Sequence, residues 1–176
     1  FFNSDGAVNS CAVADSALLD VSLSNAETIH TIMTETVPNG ATPLFMGIKN
    51  YENVTYAPVF MSGFGEKYLV IISDGQDTCA DDGIYNAVKG ATAEQLAAVT
   101  AEILETNDVR TIVIGFGDGI DPEQLNAIAA QGGTEFNEYL VASDGEDLNG
   151  ALQSIAETVQ VGCTYDIGEH DEEEVD

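Results

Sequence analysis

Two runs of consecutive apolar residues constrain this chain most: Leu69-Val-Ile-Ile72 within "KYLVIIS" (67–73) and Ile112-Val-Ile114 within "RTIVIGF" (110–116). A strand with water on one face alternates apolar and polar side chains, whereas one that is apolar at every position is covered on both faces, as in a parallel sheet between helices. Between the runs, Thr92 precedes "AEQLAAVTAEILET", where Leu96, Val99, Ile103 and Leu104 fall on one face of a helix over 92–106. Strand, helix and strand in that order predict an α/β fold with a mostly parallel sheet.

The flanking segments extend the alternation. Residues 3–11 are turn-like, and 16–23 ("SALLDVSL") read as a strand. Ser24 or Asn25 then caps a helix over 26–36, with Glu27 in its first turn and Pro38-Asn-Gly40 after its end. A helix from Pro43 to about Tyr51 follows, with Pro43 in the first turn, where a missing N–H costs nothing. Pro122 opens a helix over 122–131 that Gly132-Gly133 stops, a short strand is expected at 135–141, and a last helix over 146–160 carries Leu148, Leu152, Ile155 and Val159 on one stripe. One domain over 1–165 is expected, followed by a tail, 166–176, whose "EHDEEEVD" is too charged to pack.

Composition restricts the partners. The 176 residues are 44% hydrophobic, enough for one sizeable core. Four Lys+Arg against 31 Asp+Glu give a formal charge of -27, so nucleic acid and anionic membranes are repelled while metal ions and basic surfaces are attracted. The same charge also keeps a protein soluble without any specific role. No apolar run approaches the roughly 20 residues of a membrane helix, and the start lacks the basic residues of a signal peptide. Phe1-Phe2 in place of an initiator Met suggests a processed chain or part of a longer product.

Three segments carry a family resemblance: Asn39-Gly-Ala-Thr-Pro-Leu44, "LVIISDGQDT" (69–78) and "TIVIGFG" (111–117). In order and context they resemble the von Willebrand factor type A domain family, bacterial secreted members above all, over Phe1 to about Cys163. The resemblance implies a three-layer, doubly wound Rossmann-like fold with one antiparallel edge strand, here 16–23. It also implies a metal-ion-dependent adhesion site at the top of the sheet. There a Thr and an Asp bind Mg²⁺, Ca²⁺ or Mn²⁺, and an acidic residue of the partner completes the coordination shell. By motif these are Thr42 and Asp74. Hard divalent cations do prefer hydroxyl and carboxylate oxygens. Taken alone, Asp74-Gly75 is a turn that caps its own backbone and Thr42 is a helix cap; together in family order they favour the metal.

The family's third element is Asp-x-Ser-x-Ser, matched literally by Asp20, Ser22 and Ser24. Only 22 residues separate Asp20 from Thr42, room for about one helix and its loops, whereas the family places a helix and two strands there. The match therefore reads as a decoy, with Asp20, Ser22 and Ser24 kept as the alternative ligand set. In that register Phe1-Phe2 ends the second strand, and the first strand and helix are expected from a second polypeptide. Cys11 and Cys79 then both lie at the top of the sheet as candidates to pair, and Cys163 pairs outside this chain; three unpaired thiols are the alternative.

The remaining polar residues read more plainly. Asp77, Asp81 and Asp82 lack the spacing of an EF-hand and read as a solvated loop. Asp118 and Asp121 follow the 110–116 strand, Asp118 being the candidate outer-shell group for the metal. His30 and His170 have no zinc-type spacing, and Asn53-Val-Thr55 is a glycosylation sequon that chance also produces. The expectation is a secreted or cell-surface, non-enzymatic domain that binds a carboxylate-bearing protein or other macromolecule through a divalent cation. A structural surface or filament subunit that takes up Ca²⁺ is the alternative. A Mg²⁺-dependent phosphoryl-transfer enzyme is the weaker rival, because Lys49, Lys67, Lys89 and Arg110 are the only cations and none lies in a strand-end motif.

Overall fold

A computed structural model describes residues 11, 13, 25–35, 41–50, 66–74, 76–79 and 90–161. In chain order the elements are α1 (Ala26–Glu35), α2 (Leu44–Lys49), β1 (Lys67–Ser73), α3 (Ala93–Asn107), β2 (Val109–Phe116), α4 (Pro122–Ala130), β3 (Leu140–Ala142) and α5 (Gly145–Val161). The strands form a parallel sheet ordered β1-β2-β3. Val70 pairs with Ile112 and Ile72 with Ile114, while Ile114 pairs with Leu140. The expected strand at 16–23, the Phe1-Phe2 strand end, the sequon and the tail lie outside the described residues.

The α3 helix shows how local chemistry sets these boundaries. The Thr92 hydroxyl accepts from the Gln95 N–H and the Gln95 side chain accepts from the Thr92 N–H, at 3.2 and 2.9 Å. This reciprocal cap satisfies two donors that helical geometry leaves without partners. At the other end Asp108 adopts a left-handed conformation (φ 54°) that turns the chain directly into β2. Lys67 Nζ donates to the Asn107 carbonyl at 2.6 Å, placing a cation at the negative end of the helix. Thr92→Ala is expected to cost about 1 kcal/mol, read as a lowered urea midpoint with unchanged slope.

Alternate strand positions face two helical layers. Leu69 and Ile71 of β1 and Val109 and Val113 of β2 pack with Leu44 and Ile48 of α2, Leu96, Val99 and Ile103 of α3, and Leu125 and Ile128 of α4. On the other face Ile112, Ile114 and Ala142 meet Leu148, Ala151, Ile155 and Val159 of α5. The architecture is helix on sheet on helix.

Four expectations change. The strand 67–73 was expected to be covered on both faces, yet Val70 and Ile72 are 37% and 49% exposed. The α5 helix packs over β2 and β3; at about 10 Å wide it spans two strands spaced about 4.8 Å apart and stops short of β1. Leu152, expected on the apolar stripe, is 41% exposed, whereas Ile155 is buried. Pro43 stands at the N-cap rather than in the first turn of a helix that ends at Lys49. The strand expected over 135–141 is confined to Leu140–Ala142. Just before it, the Phe136 and Tyr139 N–H groups donate instead to the side chains of Thr134 and Asn126.

Candidate functional site

The C-terminal ends of parallel strands are where open α/β sheets place their ligands. Here β1 ends at Ser73, and Asp74 follows as an exposed residue. The loop after β2 lies against it: a Cβ added at Gly119 would stand 3.1 Å from the Asp74 carbonyl.

Thr42 reaches the same region through a backbone clasp. Its N–H donates to the Thr78 hydroxyl at 2.9 Å, and the Thr78 N–H donates to the Thr42 carbonyl, also at 2.9 Å. Residues 36 apart in sequence are thereby joined, and Thr42 is tied to the loop that begins at Asp74. Thr42 is half-buried. Among the described residues neither the Thr42 hydroxyl nor the Asp74 carboxylate takes part in a side-chain hydrogen bond. Both are hard oxygen donors with lone pairs to offer.

Beneath this clasp lies Asp77, which sequence reasoning placed in a solvated loop. That expectation is corrected: the residue is only 1% exposed. One carboxylate oxygen accepts from the Phe45 N–H at 2.8 Å, and the other from the Cys79 N–H at 2.7 Å and the Ala91 N–H at 3.4 Å. The Asp77 N–H donates to Gln124 Oε1 at 2.9 Å, and Gln124 Nε2 donates to the Ala91 carbonyl at 3.0 Å. Gln124 is itself buried. The chain packs so closely here that a Cβ at Gly90 would stand 1.9 Å from the Asp77 carbonyl, which explains a glycine at that position.

One sequence signal for this arrangement existed. A proline at the N-cap offers no side-chain acceptor, so the first N–H groups of α2 need one from elsewhere in the fold. Asp77 supplies it across 32 residues. Nothing in the sequence named which carboxylate would serve. Gln124 and Thr78 were missed for the same reason.

Burial pushes the Asp77 carboxyl up from the ordinary aspartate value, and the backbone N–H donors only partly offset this. The sign follows from linkage. A pKa raised in the folded state gives a contribution that is fully present below the unfolded pKa and is lost as pH rises through the folded one. Self-repulsion of a chain with formal charge -27 acts in the same direction. The urea midpoint is therefore expected to rise as pH falls from about 7 to about 5. A midpoint that falls over this interval would contradict both contributions.

The other sequence candidates divide. Asp118 is exposed in the β2–α4 loop beside Asp74. Asp121 caps α4 by accepting from the Glu123 and Gln124 N–H groups at 3.0 and 3.2 Å, and its second oxygen accepts from Gln76 Nε2 at 3.0 Å. Cys11 and Cys79 form a disulfide with Cα atoms 5.8 Å apart. Asp20, Ser22, Ser24, Asp81, Asp82, Cys163 and His170 lie outside the described residues. His30 is exposed on α1. Among the described residues no group of three or more His, Cys, Asp or Glu side chains could hold a metal ion. The protein side of a site at Thr42 and Asp74 would therefore be an open one, filled out by water or a ligand. That suits a small hard cation held by one or two carboxylates.

The cations bear on the rival chemistry. Lys67 and Arg110 stand at the starts of β1 and β2, opposite the Asp74 end, with Lys67 bonded to the Asn107 carbonyl and Arg110 3.2 Å from Glu66. Lys49 lies over the Phe45 ring. Lys67 and Arg110 are thus at the far end of their strands from Asp74, and Lys89 lies outside the described residues. No helix among the described residues is long and apolar enough to cross a membrane.

No family model matches the chain, and no curated protein matches it. Among solved structures it is similar to proximal thread matrix protein 1 from the mussel byssus, with a TM-score of 0.45 and 15% identity over 78% of this chain and 29% of that one. The chain thus spans less than a third of that protein's length.

Proposed function

We propose that this chain is a von Willebrand factor type A-like domain that binds a partner macromolecule through a divalent cation, with Thr42 and Asp74 as the ligands it contributes. The supporting observation is the two-way clasp between Thr42 and Thr78, which ties Thr42 to the loop that opens with the exposed Asp74 carboxylate, a hydroxyl and a carboxylate that bond to no other side chain among the described residues. Both groups belong at the ligand-binding edge of a parallel sheet. Mg²⁺ suits so open a donor set best, with Ca²⁺ or Mn²⁺ as substitutes. The cation, once bound, would supply a local positive charge to which a partner carboxylate could bind despite the acidic surface. The chain's own part is to hold Thr42 beside the Asp74 loop and to leave coordination positions open. The Cys11–Cys79 disulfide supports a secreted or surface location, where such bonds persist.

The test is a Mn²⁺ titration followed by electron paramagnetic resonance at about 0.15 M salt, which screens diffuse attraction to the surface. The wild-type chain should take up one ion tightly, and Asp74→Ala should lose it while keeping its fold. Asp118→Asn should weaken binding by a few-fold at most. Several weak ions taken up equally by wild type and Asp74→Ala would instead favour a structural subunit with a diffuse Ca²⁺-binding surface.

A further inference from the structure

We infer that Asp77 is the positioning residue of the Thr42–Asp74 pair: one buried carboxylate locks together the two loops that carry the ligands. The inference rests on the metal-site proposal and adds to it the group that fixes the site's geometry. Asp77 bonds to Phe45, Cys79, Ala91 and Gln124 rather than to Thr42 or Asp74, so its effect is indirect.

The geometry is specific. One oxygen of Asp77 holds the Phe45 N–H, three residues beyond Thr42, and so fixes where α2 begins. The other holds the Cys79 N–H, directly after Thr78, whose hydroxyl and N–H form the clasp to Thr42. Removing the carboxylate frees both sides of the clasp together. Gln124 anchors the opposite side by accepting from the Asp77 N–H and donating to the Ala91 carbonyl, and the disulfide fixes Cys79. The carboxylate thus has fixed surroundings on one side and the ligand-bearing loop on the other. Three backbone N–H groups, of Phe45, Cys79 and Ala91, converge on a carboxylate that is three positions from Asp74 in sequence and essentially closed to water.

Asp77→Asn is the informative change, because it keeps the shape and replaces one acceptor by a donor. Either amide orientation sets an N–H against an N–H, of Phe45 or of Cys79 and Ala91. The experiment follows Mn²⁺ broadening of the Thr42 and Asp74 amide resonances together with Mn²⁺ affinity. Wild type, Asp77→Asn and an Ile103 variant matched to it in melting temperature are compared.

The wild type should show both resonances broadened. Asp77→Asn should bind Mn²⁺ at least tenfold more weakly, with both resonances broadened only at correspondingly higher Mn²⁺. The Ile103 control should behave as wild type, which a merely structural role for Asp77 would not produce. Equal affinity and equal broadening in Asp77→Asn would overturn the inference and leave the metal site standing. Broadening at neither residue in the wild type would overturn the metal site itself. Should Asp77→Asn fail to fold, Gln124→Leu, which leaves the carboxylate and removes its anchor, should weaken Mn²⁺ binding in the same direction; unchanged binding there overturns the inference.

Discussion

Replacing Cys11 by Ser is expected to destabilise the protein by roughly 4 kcal/mol, the entropic value for opening a loop of this size. The disulfide joins residues 68 apart, so the unfolded chain gains a large conformational freedom when the bond is absent. Cys79 is fully buried and Cys11 nearly so, and the unpaired Cys79 thiol would remain in a packed site. The measurement is chemical denaturation of wild type and Cys11→Ser under identical oxidising conditions. The loss should fall mainly in the midpoint. Addition of reductant should bring the wild type down to the variant and leave the variant unchanged, provided that Cys163 does not contribute. A loss below about 1 kcal/mol would mean that the loop is already restrained in the unfolded state.

The second large effect is that of Asp77→Ala, expected to cost roughly 3–5 kcal/mol. The deletion leaves the Phe45, Cys79 and Ala91 N–H groups without their acceptor in a site closed to water. Each orphaned buried donor costs about 1–3 kcal/mol, less where water can enter the space left behind. Relief from burying a charge offsets part of this, which is why the expected total lies below the simple sum. Amide hydrogen exchange should show the Phe45 and Cys79 amides losing protection most, with β2 amides changing only by the global amount. Uniform loss of protection at all sites would show that Asp77 stabilises the fold without organising this loop in particular.

The parts of the fold legible in the sequence were those set by local patterns. The apolar runs located both strands, and for β2 the reason holds: a strand between two helical layers has no polar face. Thr92 with Gln95, and Pro122 followed by Gly132-Gly133, marked helix ends because caps and stops act within a few residues. What escaped depends on contacts between distant segments. Val70 and Ile72 resemble the other apolar residues of their strand, and among the described residues α5 covers β2 and β3 and leaves them exposed. Leu152 shares its spacing with Ile155 but lies on the flank of the helix, beyond the edge of the contact.

The site divides similarly. Thr42 and Asp74 were nominated by their motif context, and the clasp through Thr78 supplied a physical link between their loops. The pairing of Cys11 with Cys79 emerged from the same register and is present in the structure. Asp77 lies among several carboxylates within a few residues, in a segment that reads as hydrophilic. Its burial follows from α2 having a proline where a capping side chain would otherwise stand, and from the Gln124 side chain reaching in from α4. Neither relation has a fixed spacing in sequence.

The central claim is that one divalent cation is held by Thr42 and Asp74 together. The most direct measurement is a crystal of the oxidised chain grown or soaked with Mn²⁺ and examined for anomalous scattering. A single strong peak within about 2.0–2.4 Å of both the Thr42 hydroxyl or its bridging water and the Asp74 carboxylate, with coordination positions left for a ligand, is the predicted result. A peak bound elsewhere, or none at Asp74 at Mn²⁺ concentrations that saturate binding in solution, would contradict it.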